Sequence, residues 1–450
     1  MNKHRPRGWF ATLAPGILLA ATGVGAGDLM TASFAGSNLG VTVLWAVIVG
    51  AGMKWALTEG LARWQMGTGT TLLAGWTRHL RIHWLFLAYL VIWSFSVAGA
   101  LIGACGVAGH ALLPLDKVAF LSWLHEDPAT RSRIAWGIAH SIAGVVLVRV
   151  GGFKLFARFM SVCVAVMFAA VVYCAVRILP EVSWQYGGAA AVRPGDGGQD
   201  PLQWTLALIG GVGGTVTLLS YGYWIREQQR DGVAGLRNCR LDLALGYTMT
   251  AVFGVGMVII ASTIPNLEGR GASLALTLAE RLRPLVGPVG AFVFLLGFWG
   301  AVFSSLLGVW QSVPYLFADF LHEVRQRGSP NEPAADHTDS RPYKAFLFYL
   351  AVPPIVLLWF KISLVQLTYA LLGAAFLPML ALTLLILNNR PAWVRRPFRN
   401  GWLINAVLVL TLVFFTWTGI LSAKATLGKI GAGDGAPVAS RPAKVANPPK

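Results

Sequence analysis

Acidic side chains are scarce in this chain. It has 19 Asp and Glu against 36 Lys and Arg, and charged residues make up 12% of its 450 residues while 56% are hydrophobic. So little charge excludes an ordinary soluble protein, because one core could not bury that much apolar surface. Cysteine is scarce too: Cys105, Cys163, Cys174 and Cys239 lie in or beside apolar runs, without C-x-x-C spacing or a nearby His pair. That excludes a disulfide framework and indicates no zinc site. H-E-x-x-H, G-x-S-x-G and a paired-aspartate motif are all missing, and His125-Glu126-Asp127 has no second ligand cluster beside it. The chain is therefore not read as an enzyme, and no cofactor is expected. The net charge of +17 is spread over short loops with no aromatic-basic RNA motif, so a bilayer explains it better than nucleic acid does.

What is present is a series of apolar runs. Windows of about 20 residues predict an all-α polytopic membrane protein with eleven spans, at about 10–40, 41–63, 82–109, 132–150, 153–178, 203–231, 241–262, 286–320, 343–360, 362–388 and 402–423. These form one transmembrane domain over 1–423. A first repeat covers about 10–178, a second about 203–388, and an extra helix about 402–423. Residues 180–201 read as an outer loop, 327–342 as a flexible polar loop and 424–450 as a disordered Gly, Ala and Pro tail. With the N-terminus cytoplasmic, the inner segments carry 21 Lys or Arg and the outer loops nine. This asymmetry selects N-terminus in and C-terminus out. A monomer in a bacterial inner (plasma) membrane is the expected setting.

One stretch organises the rest. Gly23-Val24-Gly25-Ala26-Gly27-Asp28 sits inside the first apolar run, and three glycines at alternate positions hold a helix poorly, each costing about 1 kcal/mol relative to Ala. The only charge of that run follows at once. A helix broken inside lipid exposes backbone groups that lose several kcal/mol each unless protein or a water-filled cavity receives them, so a substrate site is the expected reading. Close helix packing and the end of a signal peptide are the alternatives, although the run continues for another helix's worth of residues.

The sixth run is broken in the same way. Leu206-Ala207-Leu208-Ile209-Gly210-Gly211-Val212-Gly213-Gly214-Thr215-Val216-Thr217-Leu218-Leu219-Ser220-Tyr221 is again glycine-rich with polar groups following. It stands five spans after the first, and five is odd, so a second five-helix unit enters the membrane from the opposite side. Two interrupted helices at matching positions mark an inverted five-plus-five repeat of the LeuT-like kind. A phosphate loop is the weaker reading of these glycines, because no Lys-Ser/Thr follows them. Gly23, Gly25, Gly27, Asp28, Thr217, Leu218, Ser220 and Tyr221 are the expected substrate-binding residues, with Asp28 as the one side-chain metal ligand. Lys54 reads as a counter-charge to Asp28 or a stand-in for a cation, or else as a side chain that snorkels to the inner interface. Glu59, Arg226 and Glu227 read as coupling or gating residues at the inner mouth, and His140 as a satisfied packing residue.

These residues resemble a known family. Pro15-Gly16-Ile17-Leu18, the break, Thr31, Ala35-Gly36-Ser37-Asn38-Leu39-Gly40 and Leu44-Trp45 look like the first helix of the Nramp divalent-metal transporters. The likeness continues through Leu61-Ala62-Arg63 with Thr68-Gly69, Gly297-Phe298-Trp299-Gly300-Ala301-Val302-Phe303-Ser304-Ser305, Leu387-Asn388-Asn389-Arg390 and Phe398-Arg399-Asn400-Gly401-Trp402. It spans nearly all of 10–423 in the same order and implies the same inverted bundle with an added helix.

The chemistry departs from that family, as a divergent sister branch would. The family's Asp-Pro-Gly-Asn falls on Gly25, Ala26, Gly27 and Asp28, so one carboxylate is kept but displaced. Its helix 6 Met-Pro-His falls near Leu218, Leu219 and Ser220. The acidic pair of its proton route falls within Ser96-Val97-Ala98-Gly99-Ala100, and its helix 10 Gln on Leu371, with Gln366 nearby. Oxygen-only ligands, namely Asp28, carbonyls around 23–27 and 217–220, and the Tyr221 hydroxyl, favour a hard and partly hydrated ion such as Mg²⁺. The resemblance thus implies a secondary transporter of a divalent cation, Mg²⁺- or Mn²⁺-like, without the family's usual proton route. A small organic or zwitterionic substrate on the same fold is the alternative, with Tyr221, Tyr223 and Trp224 against its organic body.

Overall fold

The first apolar run ends its helix where the glycines are. In the computed structural model, which describes residues 9–150, 152–182, 184, 201–211, 213–264, 273–325 and 338–431, α1 (Trp9–Gly23) stops and α2 (Ala26–Leu39) begins after Val24 and an extended Gly25. The sixth run divides likewise into α8 (Pro201–Gly211), a 3₁₀ turn (Val216–Leu219) and α9 (Ser220–Glu227). Eleven helical residues rise about 16 Å, roughly half the hydrocarbon thickness of a bilayer, so α8 reaches only the middle.

The helices between and after these breaks are α3 (Leu44–Thr68), the short α4 (Leu72–Gly75), α5 (His83–Leu112), α6 (Pro128–Val150), α7 (Gly152–Ile178) and α10 (Gly232–Ser262). Then follow α11 (Ser273–Arg325), which is kinked, α12 (Arg341–Ala351), α13 (Ile362–Asn389) and α14 (Trp402–Gly431). No strand occurs among the described residues. Nine stretches there are long and apolar enough to cross a membrane, against eleven spans expected. The difference lies at the breaks: one stretch, Gly27–Thr68, joins α2 to α3, and α8 and α9 are each too short to qualify alone.

Boundaries differ where local chemistry outweighs hydropathy. α10 starts nine residues before the expected 241, because Leu236, Cys239 and Leu243 continue its buried face through a charged surface. α11 contains a second helix on what reads as outer loop. Ala275, Leu278, Ala279 and Leu282 form a buried stripe at helical spacing, and the chain then turns at Gly287, whose φ of 74° precedes Pro288. The ninth span is α12 followed by a 3₁₀ turn from Pro353, since Pro353 and Pro354 have no N–H to continue the α-helical ladder. α14 continues to Gly431, so 424–431 are helical where the composition suggested a disordered tail; the rest of that tail, and most of the 180–201 and 327–342 loops, lie outside the described residues.

The broken helices sit at the centre of the bundle. α10 packs along both α1 and α2, α11 against α1, α5 and α7, and α3 against α8 and α10. Close approach is built in by small residues: a Cβ on Gly16 would collide with the Asp242 backbone of α10. His140, expected as packing, is fully satisfied. One ring nitrogen meets the Trp136 carbonyl at 2.7 Å and the other accepts from the Trp299 indole at 2.9 Å.

Candidate functional site

At the first break four backbone groups around the missing turn find partners. Val24 N–H still reaches Ala20 O at 2.8 Å. The carbonyl of Ala21 accepts from Ser304 Oγ at 2.9 Å, and that of Val24 from Ser305 Oγ at 3.1 Å. Both serines lie on α11, so one helix supplies two hydroxyls to the end of α1. On the other side Gly25 N–H donates to Asp28 Oδ2 at 3.1 Å. Asp28 therefore stands in the first turn of α2, where the positive end of the helix dipole favours a carboxylate.

The second break meets the first back to back. A Cβ at Gly23 would come within 3.0 Å of the Gly213 backbone. Gly213 and Gly214 both have positive φ, 83° and 79°, a region that L side chains rarely enter, so the turn needs glycine at both positions. Gly213 N–H donates to Asp28 Oδ1 at 2.8 Å. One carboxylate thus joins the two breaks, an oxygen to each, and it is 7% exposed.

Lys54 supplies the opposite charge. Its side chain is fully buried and does not snorkel; Nζ donates to Gly210 O at 3.2 Å and to Gly214 O. Gly210 is in the last turn of α8, the negative end of that helix. An ammonium therefore rests on the carbonyls that the helix 6 break releases, as a cation would. Buried on these carbonyls, Lys54 does not reach the inner interface as the snorkelling reading required.

Some expected site residues come together here and others do not. Gly23 and Asp28 meet Gly213 and Gly214, Gly25 abuts Ser305, and Gly27 faces the Tyr369 ring of α13, 3.6 Å from where its Cβ would be. Thr217 is buried beside Gly214. The freed carbonyls, however, are those of Gly210 and Gly214 rather than 217–220, because Val216–Leu219 forms a 3₁₀ turn whose Thr217 carbonyl is bonded within it. Leu218 and Ser220 are buried in that inner half, Ser220 Oγ without a partner among the described residues. The Tyr221 hydroxyl is committed elsewhere, donating to Asp242 Oδ1 at 2.6 Å in a cluster that Arg230 closes at 2.7 Å.

Of the expected gating residues, Glu59 is the one buried in close ion pairs. Glu59 accepts from Arg63 Nε at 2.6 Å and from Arg240 Nε at 2.9 Å, tying α3 to α10. Arg226 NH2 donates to Tyr315 OH at 2.6 Å and lies 3.9 Å from Asp319, which also accepts from Tyr223 at 2.8 Å and Thr71 at 3.1 Å. Glu227 ends α9 within electrostatic reach of Tyr315. Sequence reasoning gave no site role to Ser304, Ser305 or Tyr369. Gly213-Gly214, the one tandem glycine next to a 3₁₀-forming Thr-Val-Thr, was the available signal for the exact turn. Gln366, one helical turn from Tyr369, is 4% exposed and its amide has no hydrogen-bond partner among the described residues.

A sequence profile of the natural resistance-associated macrophage protein-like (Nramp) family matches residues 16–423. The chain belongs to the Nramp family. Among curated proteins none matches it in sequence. Solved structures similar to it include a mutant manganese transporter of Eremococcus coleocola, 16% identical with a TM-score of 0.73, covering 96% of this chain and 91% of that one. MhsT in complex with L-phenylalanine is 13% identical (TM-score 0.58, 91% and 98% covered), and Mhp1, a nucleobase-cation-symport-1 family transporter, is 14% identical (0.55, 94% and 92%). These likenesses establish the LeuT fold with discontinuous first and sixth helices, in an integral membrane transporter.

Within the Nramp family this member has an altered centre. Among the described residues no three His, Cys, Asp or Glu side chains gather so that they could hold a metal ion. Leu371, on which the family's helix 10 Gln falls, is 45% exposed on the outside of the bundle, so that position cannot reach the breaks. Gln366 and Tyr369 lie on a different face of the same helix.

Proposed function

We propose that this Nramp member is a secondary transporter that moves a hard divalent cation, Mg²⁺ or Mn²⁺, by alternating access. The observation that carries the reading is the seat of Lys54: carbonyls released by the helix 6 break already hold a positive charge, beside the one carboxylate shared by both breaks. Asp28, the Gly210 and Gly214 carbonyls and the Gln366 amide supply oxygen ligands without thiolate or imidazole, the donor set of hard ions. Asp28 and Lys54 cancel in charge, so a divalent ion enters by displacing the ammonium from its carbonyls. α5 has only small or apolar residues at 96–100 apart from Ser96, which argues against the family's carboxylate route for protons. Downhill uniport has enough drive, since two charges crossing 100 mV gain about 4.6 kcal/mol.

The same charge balance supports a second reading, in which a zwitterionic organic substrate replaces both internal contacts. Flux of a divalent panel into proteoliposomes, with and without a pH gradient, separates the two: the metal reading requires saturable Mg²⁺ or Mn²⁺ entry, and its absence for every divalent ion defeats that reading. The working unit is a monomer in a bacterial plasma membrane, N-terminus inside and C-terminus outside, as the Lys and Arg asymmetry favours.

A further inference from the structure

A cavity of about 420 Å³ lies away from the transport centre, between the end of α3, the α4 segment with its π-helical continuation (Trp76–Leu80), and the turn after α13. It is within the size range of small-ligand sites. Its walls are cationic and aromatic. His79 stacks on Trp393 with centroids 4.4 Å apart and meets the edge of Trp64 at 5.9 Å. Arg78 lines the cavity while held by Glu323 at 2.9 Å. Arg395 also lines it, exposed, its side chain finding no partner among the described residues. The Thr68 hydroxyl donates to the Trp64 carbonyl at 2.7 Å and lies 3.0 Å from that of Thr70, so both threonines are tied into the cavity wall.

The level of the cavity identifies the ligand. α3 ends at Thr68 and α13 at Asn389, while α5 begins at His83 and α14 at Trp402, so four spans start or stop around it. Trp84 and Trp402, 58% and 82% exposed, mark the same level as aromatic anchors of a membrane–water interface. With Glu323 neutralising Arg78, the uncompensated charge is that of Arg395, which selects an anion. We propose that this cavity binds the phosphate-bearing headgroup of an anionic membrane lipid, with Arg395 on the phosphate and the Trp393 ring against its glycerol.

The test is competition binding of fluorescent phosphatidylglycerol to the purified full-length chain in zwitterionic micelles, with phosphatidylcholine and inorganic phosphate as competitors. Arg395→Gln is compared with Arg396→Gln, which makes the same charge change at an exposed neighbour outside the cavity lining. One Arg near the surface corresponds to about fivefold in affinity. The proposal expects about that weakening in Arg395→Gln, little in Arg396→Gln, and no displacement by phosphatidylcholine. Equal effects of the two variants, or wild-type binding by Arg395→Gln, would overturn it. Binding of inorganic phosphate without phosphatidylglycerol would overturn the lipid assignment.

Discussion

Asp28 and Lys54 hold the same turn of helix 6, the carboxylate accepting from Gly213 N–H and the ammonium donating to the carbonyls of Gly210 and Gly214 on either side of it. Each charge also sits at the helix end that favours it, Asp28 at the start of α2 and Lys54 at the end of α8. The two breaks are therefore one electrostatic unit, which on the proposed function a cargo ion rearranges as it enters.

Removing the internal cation should expose its role as a competitor. Lys54→Met is expected to tighten the apparent affinity for Mg²⁺ or Mn²⁺ by about tenfold, the equivalent of 1.4 kcal/mol and well within the interaction of two unit charges at a few ångströms. Concentration-dependent flux measures it. A change only in the amount of protein in the membrane would make Lys54 structural.

The serines of α11 give a prediction about stability. Ser304→Ala and Ser305→Ala each leave a freed carbonyl of α1 without its donor, at a cost of about 1–3 kcal/mol. Thermal unfolding monitored by size-exclusion fluorescence should show a lowered midpoint for each variant.

Tyr221 separates a ligand from a packing residue. Tyr221→Phe should leave apparent cation affinity unchanged and lower thermal stability, because the lost hydroxyl belongs to the Asp242 and Arg230 cluster. A fall in affinity at unchanged stability would return Tyr221 to the site.

Glu59 fastens α3 to α10 through Arg63 and Arg240. Glu59→Gln leaves two arginines without their carboxylate, and breaking a buried pair costs about 3–5 kcal/mol. The inner side should loosen, seen as faster labelling of a cysteine introduced at Gln65, which bonds the α9 backbone at 2.7 Å.

Much of this fold was legible from the chain alone. Glycine clusters at 23–27 and 210–214 placed both breaks, and the odd spacing between them gave the inverted repeat. The carboxylate at the meeting of the breaks was legible for the same reason, as a lone charge in an apolar run. The partners were not: Ser304 and Ser305 are 283 and 281 residues from the carbonyls they bond. Short-range pattern carries no information about such pairings. Tyr221 misled because an aromatic hydroxyl after a break suits a ligand, while its actual partner, Asp242, lies in a helix whose start hydropathy had placed nine residues late.

The central claim is that Asp28 is the carboxylate through which a cation engages both breaks. Mg²⁺ and Mn²⁺ flux in proteoliposomes containing Asp28→Asn tests it most directly, since the amide keeps the shape and one accepting oxygen but removes the charge. A fall of about tenfold or more, the scale of one lost charge-assisted contact, in protein that elutes and melts like wild type is the predicted result. Wild-type flux in that variant would contradict the account.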